Sequence, residues 1–187
     1  MQRKTGVIGK ILLILFFSIS SLNAQEVAES GVIDLRGTDF TESEPIPLNG
    51  EWEFFWKQLV DFENVSKDIE YREFPHMWQS EEGLSSFGFA SYRLKILLPK
   101  DYPALAFSIP DLYTAYNLYA DSALIASNGA VGTTKETHIP KWIPKTVALD
   151  QFDKDSIEIV LQISNFQHKK GGARLPIYFC SESQLIE

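Results

Sequence analysis

Apolar and polar residues alternate along most of this chain with period two, the spacing at which successive side chains of a β-strand point to opposite faces. In the stretch ASYRLKILLP, Tyr92, Leu94, Ile96 and Leu98 share one face. Ile157, Ile159, Leu161 and Ile163 alternate without a break in SIEIVLQIS. Leu105, Phe107 and Ile109 do so in ALAFSIP, Tyr116, Leu118 and Ala120 in AYNLYA, and Ile33 and Leu35 in GVIDLRG. Asp121-Ser122 supplies a tight turn after AYNLYA, so ALIAS returns as its hairpin partner. Thr146–Leu149 reads as a short strand, and Pro176–Cys180 closes the series. Only Lys57–Asp68 could hold a short helix. About eight or nine strands, joined by turns rich in Gly, Pro, Asn and Asp, follow from this pattern. Strands without helices between them pair antiparallel. The expectation is therefore an all-β fold, an antiparallel β-sandwich of jelly-roll type from about Gly31 to Cys180.

The stretch LNGEWEFFW, Leu48–Trp56, poses a choice between a sugar-stacking platform and a core. Trp52, Phe54 and Trp56 fall on one face, opposite Glu51 and Glu53. A stripe in register is what a sandwich interior requires, and burial of each ring stabilises by roughly 2–3 kcal/mol. Trp52 and Phe54 are read as core, while Trp56 at the strand end stays open between the two roles. Phe55 interrupts the polar face, which implies that this face is partly covered as well.

The first 24 residues follow another logic. Arg3, Lys4 and Lys10 precede a nine-residue apolar stretch, Ile11–Ile19, interrupted only by Ser18, and small residues lead up to Ala24. This is the pattern of a secretory signal peptide cut after Ala24, and the apolar run is well short of the ~20 residues that span a bilayer. Residues 25–30 then form a lead-in and 31–187 the domain. The product is expected to be periplasmic or secreted. Loss of the three basic residues moves the formal charge from −8 to −11, with 14 Lys and Arg against 25 Asp and Glu. Such a balance, with no basic cluster longer than Lys169-Lys170, argues against nucleic acid and against charge-driven binding to anionic lipid. The lone Cys180 excludes an internal disulfide and a thiolate metal cluster, and it reads as a small strand residue.

Catalytic signatures are missing. There is no Gly-x-Ser-x-Gly, and Gly129–Lys135 lacks the Gly-Lys-Ser/Thr ending of a phosphate loop. His76, His138 and His168 have no metal-ligand spacing, and Asp150, Asp153 and Asp155 lack the Gly and terminal Glu of a calcium loop. No enzyme activity, cofactor or resident metal is expected. Ligand candidates sit instead in loops that a rigid sheet can present. HMWQSEEG offers His76, Trp78 and Gln79; NGAVGTTKETHIPKW offers Asn128, Thr134, Lys135, Glu136, His138 and Trp142; SNFQHKKGG offers Asn165, Gln167 and His168. If a sugar binds, stacking is expected from Trp78 or Trp142 and hydrogen bonding from Glu136, Asn165 or His168.

Taken in order, GVIDLRGTDF, PIPLNGEWEFFWKQL, EFPHMW, GFASYRLKILLP, LYTAYNLYADSALIASNGAVGTTKE and IEIVLQISNFQHKKGG carry a resemblance over nearly all of Gly31–Cys180. The chain resembles the periplasmic N-terminal domain of bacterial seven-transmembrane receptors with diverse intracellular signalling modules. That domain is a galactose-binding-like jelly roll. It is distantly similar to the sugar-binding domain of family 2 glycoside hydrolases, which shares the NGEW…F…W start and the strand with Tyr and Arg, here Tyr92-Arg93. The resemblance implies a sensor for a carbohydrate-like ligand, working with a membrane-embedded receptor or kinase partner. The chain departs from it in carrying neither membrane helices nor an output module, and in having Asp121-Ser122 where Asn-Gly is common. A stand-alone protein and the sensor end of a truncated or split receptor both fit. Alternatives are an accessory sugar-binding domain related to family 2 glycoside hydrolases and a protein-interaction domain with no small ligand.

Overall fold

The computed structural model describes residues 26–63, 69–149 and 154–185. The expected signal peptide, Asp150 and Asp153, and residues 64–68 of the expected helix lie outside them. Thirteen strands are formed among the described residues: β1 (Val32–Asp34), β2 (Ile46–Pro47), β3 (Gly50–Trp56), β4 (Glu70–Phe74), β5 (Gly88–Leu97), β6 (Leu105–Ile109), β7 (Leu112–Tyr113), β8 (Ala115–Ala120), β9 (Ala123–Asn128), β10 (Lys145–Ala148), β11 (Ser156–Asn165), β12 (Gly172–Ala173) and β13 (Tyr178–Ser181). The larger sheet runs β4-β3-β5-β11-β8-β9 and the smaller one β10-β6-β13-β2; β12 and β7 form a separate two-stranded ladder. Pairing is antiparallel except for β1, which runs parallel to β5 at Lys95–Leu97, just beyond the stretch of β5 that β3 occupies.

The alternation read from the sequence is the division between core and exterior. Trp52, Phe54, Tyr92, Leu94, Ile96, Leu118, Ile159 and Leu161 of the larger sheet are buried against Phe107, Ile109, Ile177 and Phe179 on the side of the smaller one. Trp52 stacks on Phe74 at 4.3 Å, and its indole N–H donates to the Leu48 carbonyl at 3.2 Å. The opening aromatic stripe is therefore interior. The half-buried Trp56 packs edge-on against Trp78 at 5.0 Å.

The outer face of the larger sheet is also partly covered. Residues 57–63 contain no helix. They cross the sheet as an extended strap, with Val60 packed against Phe55 and Val160. The Ser91 hydroxyl donates to the Gln58 carbonyl at 2.8 Å and accepts from the Val60 amide at 3.0 Å, while the Gln162 amide donates to the Val60 carbonyl at 3.0 Å. Phe55 breaks the polar pattern because it lies beneath this strap. In the β8–β9 hairpin, Asp121 and Ser122 both take positive φ, 44° and 74°, as the favoured two-residue turn requires. Asp121 suits the place because its carboxylate accepts from the Glu158 amide at 3.0 Å and pairs with Lys154 at 2.8 Å.

Candidate functional site

Three loops meet where β11 ends and β8 begins. Asn165, the last residue of β11, is fully buried and organises the turn that follows. Its Nδ2 donates to the carbonyls of Ser86, His168 and Lys170 at 2.7, 2.6 and 2.9 Å. Its Oδ1 accepts from the amides of Gln167 and His168 at 3.3 and 3.0 Å and from the Thr114 hydroxyl at 3.3 Å. One amide side chain thus takes the place of a stretch of backbone pairing for a loop with no ladder of its own.

Beside it, buried His138 bridges two hydroxyls: Nδ1 lies 2.8 Å from Ser164 Oγ and Nε2 lies 3.0 Å from Thr114 Oγ1. The donors fall into one direction. The Gly132 amide donates to Ser164 Oγ at 3.1 Å, and the Ser164 hydroxyl then donates to Nδ1. Nε2–H donates to Thr114 Oγ1, whose own proton goes to Asn165 Oδ1. The Thr114 proton committed to Asn165 places the imidazole proton on Nε2, and burial pushes the pKa down, which favours the neutral ring that this direction describes. The loop of residues 129–144 is tied down by this histidine, by the reciprocal Ala130–Ile139 backbone pair and by the Lys141 amide donating to the Thr114 carbonyl at 2.8 Å. The Asn128 side chain adds a bond to the Ile143 carbonyl. Gly129 is required at its place: φ is +68°, and a Cβ would sit 2.1 Å from the Ile139 carbonyl oxygen.

On these loops stands a set of rings. Tyr113 and His168 stack nearly parallel, 4.9 Å apart at 7°. Trp142 tilts at 42° to His168, 6.3 Å away, and is 48% exposed beside the exposed Ile139 and Ile143. His168 Nδ1 is engaged with the Lys170 backbone at 3.2 Å; its Nε2 makes no hydrogen bond among the described residues. A half-open set of rings on fixed backbone, with an imidazole nitrogen unbonded among the described residues, can stack on an apolar ring face through the exposed Trp142 and hydrogen-bond at its edge.

The structure brings together two of the five residues singled out in the sequence, Trp142 and His168. Asn165 lies beneath them, buried with its polar atoms spent on the loop. The expectation that the Trp78 ring faces a ligand from an open loop is corrected: Trp78 is fully buried, and its Nε1 donates to the buried Tyr92 hydroxyl at 2.7 Å. Its cover is the Gly171-Gly172 backbone, which passes so close that a Cβ on Gly171 would lie 2.5 Å from the indole. Glu136 is exposed, and among the described residues no hydrogen bond or ion pair joins it to the three rings. Its own backbone amide and the Thr134 hydroxyl hold its carboxyl below the usual range. Tyr113 was not singled out in the sequence; it lies just before the strand read in AYNLYA. At the opposite end of the sandwich, a groove of about 740 Å³ is lined, among the described residues, by Leu98, Pro99, Lys100, Asp121, Lys154, Asp155 and Ser156, none of them aromatic.

No protein-family profile matches the chain, and no curated protein matches it. Solved structures do. An uncultured Clostridium sp. β-glucuronidase superposes with a TM-score of 0.56 at 14% identity, over 74% of this chain and 29% of that one. A GH2 β-galacturonidase from Eisenbergiella tayi, bound to glycerol, gives 0.54 at 12% identity, over 74% and 25%. A Bacteroides uniformis β-glucuronidase gives 0.55 at 12%, over 73% and 17%. The chain thus spans less than a third of the length of these proteins. The fold is an all-β antiparallel sandwich of jelly-roll type, of the kind found within family 2 glycoside hydrolase structures.

Proposed function

We propose that this chain is a non-catalytic carbohydrate-recognition module, exported to the periplasm and serving as the ligand-sensing part of a bacterial signal-transduction receptor. The observation that carries the reading is the half-open Tyr113–His168–Trp142 ring set, held on loops whose backbone is fixed by buried side-chain hydrogen bonds. Fixed loops lower the ordering cost of binding, so that ring stacking is realised as affinity. The likeness to domains of family 2 glycoside hydrolase structures supports the same class, as does the sequence resemblance to receptor sensor domains.

A glycan-array screen of the purified domain, repeated with Trp142→Ala, tests it. Binding by the native protein that is lost in a variant with an unchanged melting temperature is the expected result. Absence of glycan binding by the native protein overturns the reading. Purified protein should not turn over aryl glycosides. The receptor role is tested by gene context. A neighbouring frame encoding membrane helices and a kinase supports it, whereas a neighbouring glycosidase barrel supports the accessory role in a hydrolase.

A further inference from the structure

The charges around the ring set run against the rest of the chain. Residues 133–145 and 165–175 carry Lys135, Lys141, Lys145, Lys169, Lys170 and Arg174 against a single acid, Glu136. The rest of the chain after residue 24 has 8 basic residues against 24 acidic ones. Lys135 lies in the loop of residues 129–144, Lys145 opens β10, and the other four stand on the segments that carry the rings. Lys141 precedes Trp142 and bonds through its amide to Thr114; Lys169 and Lys170 follow His168 in the turn held by Asn165; Arg174 follows the β12 strand that pairs with Tyr113. Lys135, Lys141, Lys169, Lys170 and Arg174 are exposed, and none of the six forms an ion pair among the described residues. Elsewhere Arg36, Arg72, Arg93 and Lys154 are paired with carboxylates, whereas Lys57, Lys95 and Lys100 form no ion pair among the described residues, so it is the clustering of the six, with one acid among them, that sets this end apart. Lys145 alone has a fixed protein partner, the Ser127 carbonyl. Acids on the neighbouring segments are Glu136, Asp111 beside β7, and Glu81 and Glu82 just after Gln79, which accepts from the Gly171 amide; Glu81 is itself paired with Arg72.

From this juxtaposition we propose that the site takes an acidic saccharide, a glycan bearing carboxylate or sulfate groups, whose ring stacks on Trp142 and whose anionic groups meet Lys141, Lys169, Lys170 and Arg174. The inference rests on the carbohydrate reading above and adds its charge class. A cationic surface on a strongly acidic protein also selects: it steers anions to this end, while the remaining surface repels them. The unpaired ammonium groups are neutralised only when the ligand arrives. Neutral sugars would leave them as they are.

The test is an array carrying uronate-bearing, sulfated and neutral glycans, followed by titration calorimetry of the strongest hit at 50 and 500 mM NaCl. Acidic hits, about tenfold or more weaker at high salt, support the proposal. So does a comparable loss in Lys169→Glu/Lys170→Glu with unchanged melting temperature. Hits confined to neutral glycans overturn the charge class and leave the carbohydrate reading standing, whereas no hits overturn both. Equal binding of a charge-matched single-stranded DNA oligonucleotide reduces the surface to unspecific charge attraction and also overturns the proposal.

Discussion

Replacing Asn165 by alanine should uncouple the loop of residues 166–171 from the sandwich. The amide engages three carbonyls, two backbone amides and one hydroxyl. In Asn165→Ala, water can reach the groups of the exposed residues Gln167 and Lys170, so their loss costs little. The Thr114 hydroxyl is buried, and the Ser86 carbonyl faces the same interior. Each polar group left unsatisfied there costs about 1–3 kcal/mol, and the vacated volume adds to it. A loss of about 3–4 kcal/mol results, a large share of a total stability of roughly 5–15 kcal/mol. Asn165→Asp sharpens the test. It keeps the shape and the accepting oxygen but turns an anion toward three carbonyls. It should be at least as damaging at neutral pH and should recover partly in acid as the carboxyl is protonated. Urea unfolding gives the free energies, and amide exchange across residues 166–171 reports the loop. An Asn165→Ala protein within about 0.5 kcal/mol of the native one, with unchanged exchange, would refute the assignment.

Trp78→Ala and Trp52→Ala should each destabilise by about 3–5 kcal/mol in thermal or urea melts, since each empties core volume and strips a buried hydrogen-bond partner, the Tyr92 hydroxyl and the Leu48 carbonyl respectively; a Trp78→Ala protein that melts like the native one would contradict the burial. Gly129→Ala should cost about 2–3 kcal/mol by the same measurement, since it adds strain at φ +68° to a collision with the Ile139 carbonyl. Burial lowers the pKa of both His76 and His138 in the folded protein. The unfolded chain, with histidines near 6.5, therefore binds more protons below that pH. Stability should be whole above about pH 7 and should fall as pH drops below about 6.5; equal unfolding midpoints at pH 7.5 and 5.5 would show that these imidazoles are not desolvated.

Strands with one buried face could be read directly. In β5, β8 and β11 the period-two pattern names the inward residues, and the same logic placed Trp52 and Phe54 inside. The edge strand β4 was not legible, because in Glu70–Phe74 only Phe74 is buried and no alternation marks the rest. Nor was the parallel partner of β1, since alternation assigns a face and not a neighbour. Trp78 was misjudged for a related reason. The composition of its loop, with Gln79, Ser80, Glu81 and Glu82, signals solvent, while its burial is imposed by Gly171 and Gly172, more than ninety residues away. The bonds from His138 to Thr114 and Ser164 likewise join a loop, the β7–β8 junction and the end of β11, and no local spacing encodes them.

The position of β11 has a consequence for how the protein acquires its shape. This strand joins β5, about 60 residues earlier, to β8, and its distal end supplies Asn165. Its insertion closes a long loop for every pair it forms, the kind of non-local step that makes such topologies fold in milliseconds to seconds. The ring set and its supporting hydrogen bonds come into being only with that closure, so partly assembled chains present no binding surface. A ligand held there acts on the cooperative unfolding of the entire domain and not on the fraying of one loop. Occupancy would therefore appear as a slower global unfolding rate, making the domain's kinetic lifetime itself a gauge of what it has bound.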